Sequence, residues 1–320
     1  MNMPTEVTPP QTIAQLGLDE LETAPLSLGE LTWRRFRRHK MALIGIVTLI
    51  LLILYSFLGA VFYPESYANL TETSARLLPP SAKHPFGTDT IGRDILARTI
   101  YGGQISILIG LTAMLVETLV GVVIGAMAGF YGGKLDSLLM RLTEAIIVVP
   151  QIFLLLVMAK FFGGNIPDIN LFGRTLSGSV VVIILIIGAT SWPYLARIVR
   201  AEFLSLKESE FVLAARAIGT PTSEIILRHI LPNSIAPIIV SATLGVANAI
   251  TAEAYISFLG LGVRPPTATW GNMLEGAYNY IETAYWLWLF PGLLIALIVL
   301  SINFVGDGLR DALDPHSRAI

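Results

Sequence analysis

Long apolar runs, separated by mixed or polar segments, dominate the chain. They fall at about 41–63 ("MALIGIVTLILLILYSFLGAVFY"), 104–129, 141–162, 178–196, 234–258 and 285–306. A helix needs roughly 20 mostly apolar residues to cross a hydrocarbon core of about 30 Å, so each run predicts a membrane-spanning helix. The third contains Glu144 and Pro150 and the fifth Pro237 and Glu253; neighbouring helices are expected to shield these residues. The predicted fold is all-α, a polytopic membrane protein with six transmembrane helices.

Lys and Arg set the predicted orientation, because cytoplasmic loops retain positive charge. With the N-terminus inside, fourteen basic residues fall in cytoplasmic segments and seven outside, and "WRRFRRHK" before the first span contributes five. The chain then divides into a cytoplasmic N-terminal tail with a juxtamembrane basic segment (1–40), a first transmembrane helix and external loop (41–103), a five-helix core (104–306) with a cytoplasmic loop at about 197–233, and a cytoplasmic C-terminal tail (307–320). The loop at 64–103 is longer than usual connections, which favours a functional or partner-contacting role. The first apolar run begins too far in for a secretory signal. The tail around "PTEVTPPQ" reads as disordered, with one amphipathic turn in "LGELTWRRFRRHK" at the membrane surface.

Composition agrees with this pattern. Of 320 residues, 54% are apolar and 14% charged, against about 25% charged in soluble domains. A net charge of −2 supplies no field for binding nucleic acid. The absence of cysteine excludes disulfides, thiolate metal sites and cysteine nucleophiles.

One charged stretch interrupts the apolar pattern: "FVLAARAIGTPTSEIILRHILPN", residues 211–233. Phe211, Ala214, Ala215 and Ile218 recur at i, i+3, i+4 and i+7, one face of an α-helix, and Gly219 sits where a left-handed cap belongs. Thr220 is the expected N-cap of a second helix with Pro221 at its first position and Glu224 at its positive end. That helix is expected to stop or bend near Pro232. A shallow alanine face rimmed by Glu210 and Arg216 suits docking of another protein, and a surface helix lying on the bilayer stays open beside it. Helix, turn and helix is also the layout of DNA readers, but a loop of about 36 residues is too short for a separate DNA-binding domain.

The same stretch carries a family likeness. "AARAIG" followed by "RHILPN" resembles the EAA loop in inner-membrane subunits of ABC importers, with Leu213 in place of the Glu that names the loop and His229 in place of an Ile. Both departures resemble the dipeptide/oligopeptide/nickel permease branch. So do "PPSAKHPFGTDTIGRDILARTIYGGQISI", "GFYGGKLDSLLMRLTEAI", "WPYLARIVRAEFLSLKE", "EAYISFLGLGVRPPTATWGNML" and "LWLFPGLLIALIVLSINFVGDGLRDALDP", in collinear order over about 33–315. Within that branch the chain looks more like the second permease subunit.

The resemblance implies the type I ABC importer permease fold in a prokaryotic inner membrane, where the chain would form half of a pore for peptides, nickel or other small solutes. It implies a second homologous permease subunit, two cytoplasmic ATPases that hold ATP and Mg, and an extracytoplasmic solute-binding protein, with no cofactor or catalysis on this chain. ATPase coupling is then expected of Glu210, Ala214, Ala215, Arg216, Gly219 and Pro221, with His229, Pro232 and Asn233 shaping the return to the membrane. Two alternatives are a secondary transporter or channel subunit working without an ATPase and a membrane-anchored regulatory protein.

Other chemistry finds less support. "MAGFYGGKLD" fails as a phosphate loop, because Ala128 replaces the first glycine and Leu135 the Ser or Thr after Lys134; it reads as a tight turn. His84, Asp89 and Asp94 could be imagined as metal ligands, but Asp89 is expected to cap a turn and pair with Arg93 or Arg98, so no metal site is assigned. Glu117, Asn248, Glu253 and Asn303 lie within spans, where burying polar groups is costly, and are the pathway or gate candidates; interhelical hydrogen bonds are the other reading. Trp270, Trp286 and Trp288 fit an interfacial aromatic belt. Four scattered histidines and the lack of a nucleophile elbow leave no catalytic residues.

Overall fold

The computed structural model describes residues 27–162, 167–171 and 174–314. The Pro/Thr/Glu-rich start of the N-terminal tail and residues 315–320 of the C-terminal tail lie outside the described residues. The first described element, α1 (Leu28–Phe36), is the amphipathic segment before the first span. Ser27 and Glu30 form a reciprocal capping box at its start, Trp33 is exposed and Phe36 is buried.

Among the described residues, five helices are long and apolar enough to span a membrane: α2 (Lys40–Phe62), α3 (Ile95–Tyr131), α6 (Gly178–Leu206), α8 (Ile235–Phe258) and α9 (Trp286–Leu313). The predicted third span is instead two helices, α4 (Gly133–Val148) and α5 (Gln151–Phe162), bent by 88° at the break. Pro150 explains the bend. Its ring pushes Val149 into extended backbone, with ψ at 124°, and it brings no N–H to continue the ladder. Sixteen and twelve residues are each too short to cross alone; counted together as one bent span, the pair brings the number to six. A two-stranded antiparallel hairpin, β1 (Ile169–Leu171) with β2 (Arg174–Leu176), precedes α6 and adds a short β element that the apolar pattern did not predict.

The second span begins nine residues earlier than its apolar run. Asp94 caps α3 by accepting from the Ala97 N–H at 2.8 Å, so the end of the predicted external loop is already helix. At 37 residues, α3 is about 55 Å long, far more than the hydrocarbon core requires. It ends at Gly132 and Gly133, both at positive φ, which gives the tight turn read from "GFYGGK".

Helices α3 and α6 run parallel and approach closely. A Cβ on Gly121 would come within 3.0 Å of Leu195, one on Gly125 within 2.5 Å of the Ala196 carbonyl, and one on Gly129 within 2.6 Å of Phe203; from the other side, Gly188 faces Val116 at 2.5 Å. Lipid offers helices no hydrophobic gain from pairing, so small residues that let backbones meet supply the van der Waals contact. Arg200 on α6 locks the lower end with a two-pronged ion pair to Asp136 on α4, at 2.5 and 2.6 Å. Around this pair, α8 runs antiparallel to α3, and α9 packs along α2 where a Cβ on Gly45 would meet the Ser301 carbonyl.

Gly125→Val should therefore lower the unfolding midpoint in detergent, at a cost of about 1–3 kcal/mol. Gly292→Ala, with no atom within 4 Å of the added Cβ, should stay within about 0.5 kcal/mol of the parent.

Candidate functional site

Three constellations carry polar or exposed groups that the fold does not need for simple packing. The first is the segment after α6. Helix α7 (Glu210–Ala217) starts at Ser209 and ends in a Schellman motif: Gly219 N–H donates to the Arg216 carbonyl and Thr220 N–H to the Ala215 carbonyl, each at 3.0 Å. Gly219 has φ +82°, and no atom lies within 4 Å of a Cβ built there. Its requirement is conformational, since an L side chain strains at this φ.

The expected docking face needs correction. Ala215 is buried together with Val212 against Leu195, Val199 and Phe203, while Phe211, Ala214 and Ile218 are exposed. One alanine therefore meets the protein and its neighbour meets solvent: periodicity places residues on a face but cannot say which face meets the protein. The exposed crest of α7 carries Phe211, Leu213, Ala214 and Ile218, and Ile218 is 83% exposed. Glu210 is exposed, and Arg216 stacks over the Phe130 ring at 5.7 Å.

Beyond the turn, Pro221 has ψ 147° and is itself the N-cap, so the helix begins at Thr222 rather than at Pro221 with Thr220 as cap. Glu224 pairs with Arg228 on the next turn. The helix then widens to π pitch over Ile225–Ile230 before Leu231–Asn233. Pro232 supplies the reason: it cannot donate, and its ring crowds the carbonyl one turn back, so the wider turn admits it without breaking the rod. The expected stop at Pro232 is thus a change of pitch. Asn233 Nδ2 donates to the His229 carbonyl at 2.6 Å and Ser234 Oγ to the Ile230 carbonyl at 3.0 Å, which carries the chain into α8.

The second constellation is a cleft of 340 Å³ between α3, α5, α6 and α8. Glu117 and Asn248 line it, joined by Gln151, Ser191, Tyr194, Thr251 and Tyr255. Gln151 Nε2 donates to Ser191 Oγ at 3.2 Å, and Glu117 Oε2 would lie 3.2 Å from a Cβ on Gly245. Neither Lys nor Arg is among its lining residues. Asn303, half-buried on α9, does not line it. Asn248, Thr251 and Tyr255 sit at i, i+3 and i+7 of an apolar span, a polar stripe legible in the sequence that the search for single costly residues passed over.

Glu253 belongs to a third, structural set. It is fully buried, and Oε1 accepts from Ser257 at 2.6 Å and Thr269 at 2.7 Å, with Ser106 donating to Oε2 at 3.5 Å. The carboxylate thereby joins α3, α8 and the segment after α8. Trp270 completes the junction, its indole N–H donating to the Thr99 carbonyl at 2.8 Å in a slot opened by Gly102 and Gly103. Trp286 is also buried and donates to the Thr88 carbonyl at 3.1 Å. The belt reading is corrected for both, which serve as internal ties, while Trp288 is exposed.

The segment 64–94 folds on the same end of the bundle. Asp89 accepts from the Ile91 and Arg93 N–H groups at 2.9 Å and from Arg93 Nε at 2.6 Å, as expected for a turn cap paired to Arg93. Asp94 caps α3 with one oxygen and meets His84 Nδ1 with the other at 2.8 Å. Nearby, burial and the Asp94 carboxylate push the Tyr67 hydroxyl above its ordinary range.

Comparison with known proteins converges on one family. Residues 121–319 match the binding-protein-dependent transport system inner membrane component profile, and residues 27–80 match the N-terminal TM domain of oligopeptide transport permease C. The dipeptide transport system permease protein DppC of Bacillus subtilis is 37% identical over 301 residues, covering 94% of this chain and 89% of that protein. The oligopeptide transport system permease protein OppC of Haemophilus influenzae is 38% identical over 303 residues, covering 94% and 93%. In fold, the chain is similar to the inward-facing MetNI methionine ABC transporter, with a TM-score of 0.51 at 19% identity, covering 67% of this chain and 94% of that one. These findings support the permease reading over the secondary transporter or channel.

Glu253→Ala should orphan three buried hydroxyls and lower stability by about 3 kcal/mol or more, read as an unfolding midpoint in detergent. Glu253→Gln, which keeps the shape and one acceptor, should lose less.

Proposed function

The chain belongs to the family of binding-protein-dependent transport system inner membrane components, and from that premise we propose that it forms half of the pore of a peptide importer. It works with a second, homologous permease subunit, two cytoplasmic ATPases that bind and hydrolyse ATP with Mg, and an extracytoplasmic solute-binding protein. Peptide is the proposed cargo because the curated relatives carry dipeptide and oligopeptide permease names. Uptake of nickel or another small solute in its place would change the cargo and leave the mechanism.

The observation that carries the coupling role is the construction of α7. An exposed crest of Phe211, Leu213, Ala214 and Ile218 stands on Val212 and Ala215, which are buried against α6. The crest enters a groove on an ATPase, with Glu210 and Arg216 as charged neighbours. Closure of the ATPases on ATP then carries the two docked segments together and shifts the permease halves as rigid bodies from inward- to outward-facing. Pro221 starts the return path, and His229, Pro232 and Asn233 keep it helical, so displacement passes into α8. The cleft of Glu117 and Asn248 lies on that helix and its neighbours and forms part of the pathway.

Gly219→Val puts a β-branched residue at φ +82°, a strain of at least about 1–2 kcal/mol. In proteoliposomes with the full complex, transport should fall by about tenfold or more while ATP hydrolysis continues. Gly219→Asn, which tolerates this conformation, should retain most transport; normal transport in Gly219→Val overturns the coupling assignment.

Glu117→Gln should preserve assembly and stimulated ATP hydrolysis but lower uptake several-fold. Uptake at the parent rate would remove Glu117 from the pathway.

A further inference from the structure

At the end of the bundle opposite α7, segment 64–94 and the segment between α8 and α9 enclose a cleft of 460 Å³. Arg76, Arg93 and Arg98 stand on its walls, with Asp89 and Glu275 as the acids. Arg76 donates through Nε to the Thr90 carbonyl at 2.6 Å, and Arg93 is matched by Asp89. Arg98 is different. It is 3% exposed, and among the described residues its one side-chain hydrogen bond runs from Nη1 to Asn69 Oδ1 at 3.3 Å. Its charge has no carboxylate in ion-pair contact among those residues, although a guanidinium offers five donors in a fork that matches a carboxylate.

Burying a charge without an opposite partner is costly. Here the cost is borne beside a cavity, and Arg98 sits in the first turns of α3, six residues before the apolar run that spans the membrane. The end of α3 that carries it projects among the segments outside the apolar spans, and Arg98, though buried, lines the wall of the cleft.

We propose that this cleft is an anchor pocket for the solute-binding protein, and that Arg98 receives an aspartate or glutamate side chain from it. The inference rests on the importer reading, which brings such a protein to this end. The carboxylate takes up the unused donors of Arg98, and Asn279 and Tyr280 on the opposite segment offer polar contacts around it. Docking then draws the 64–94 and 265–280 segments to one partner. Because Trp270 and Thr269 belong to the second and bond to Thr99 and Glu253, it links the docked protein to the helix core.

The experiment uses the intact complex in nanodiscs and the binding protein that co-purifies with it, purified and added back. The readout is the binding-protein concentration that gives half-maximal stimulation of ATP hydrolysis. Arg98→Gln should raise it by at least about tenfold with hydrolysis in the absence of binding protein unchanged. Since Arg98 is buried, Asn279→Asp provides an independent variant: a carboxylate supplied from the wall competes for the arginine and should also raise the concentration. Glu275→Gln, which removes a competing acid, should lower it. Neutralising the binding protein's surface acids one at a time should reveal one whose effect is non-additive with Arg98→Gln.

Unchanged half-stimulation in Arg98→Gln and Asn279→Asp overturns the anchor, as does a set of acids that all add independently. Loss of basal hydrolysis in Arg98→Gln with no response in Asn279→Asp gives Arg98 a structural role instead and also overturns it. A parent complex that hydrolyses ATP yet ignores the binding protein overturns the importer reading itself.

Discussion

The near-contact of α3 and α6 is the constraint on which the other features stand. Gly121, Gly125 and Gly129 remove side chains from one helix where Leu195, Ala196 and Phe203 on the other need the room. Without a hydrophobic gain from pairing in lipid, that proximity supplies the dispersion energy holding the bundle. Phe203, Val199 and Leu195, the α6 residues at that contact, are themselves the platform on which Val212, Ala215, Ile225 and Ile230 pack. The exposed crest of α7 has a rigid base because two transmembrane helices touch several turns away.

The two ends of the bundle solve different problems. At one, Arg200 and Asp136 pin α6 to the helix after the Gly132–Gly133 turn, so a push on the following segment meets a braced support. At the other, polar groups are drawn inward: Glu253, Thr269, Ser106 and Trp270 bond across three segments, and Trp286 ties the turn at Thr88. Buried networks of this kind specify one arrangement strongly when every member is satisfied.

Much of this was legible in the chain. Six apolar runs placed the spans, Gly219 and its neighbours placed the turn, and Pro150 marked the weak span that proved to be broken. Other features could not be read because they depend on contacts distant in sequence. Ala214 and Ala215 share a helical face by periodicity, yet Phe203 buries one and leaves the other outside. Trp270 looks interfacial until Gly102 and Gly103 open a slot for it. The early start of α3 was signalled by Asp94, a good cap, but hydropathy outweighed it. Arg98 was read only as a loop arginine able to pair with Asp89; its burial beside a cavity is a property of the folded loops. The cleft around Glu117 draws on four helices, and only its Asn248, Thr251 and Tyr255 stripe has a local signature.

The wide-pitch turn at Ile225–Ile230 has a geometric consequence. From Thr222 to Phe258 the backbone is a nearly continuous helical rod, and one residue accommodated at π pitch shifts everything beyond it by roughly 100° around the axis. The azimuth at which Asn248 and Tyr255 look out of α8 is therefore set by that single turn relative to the azimuth of the segment beside α7. Inserting or deleting one residue there would leave helix length and hydropathy almost untouched while rotating the polar stripe away from its cleft. The turn works as a phase adjustment between two faces of one shaft.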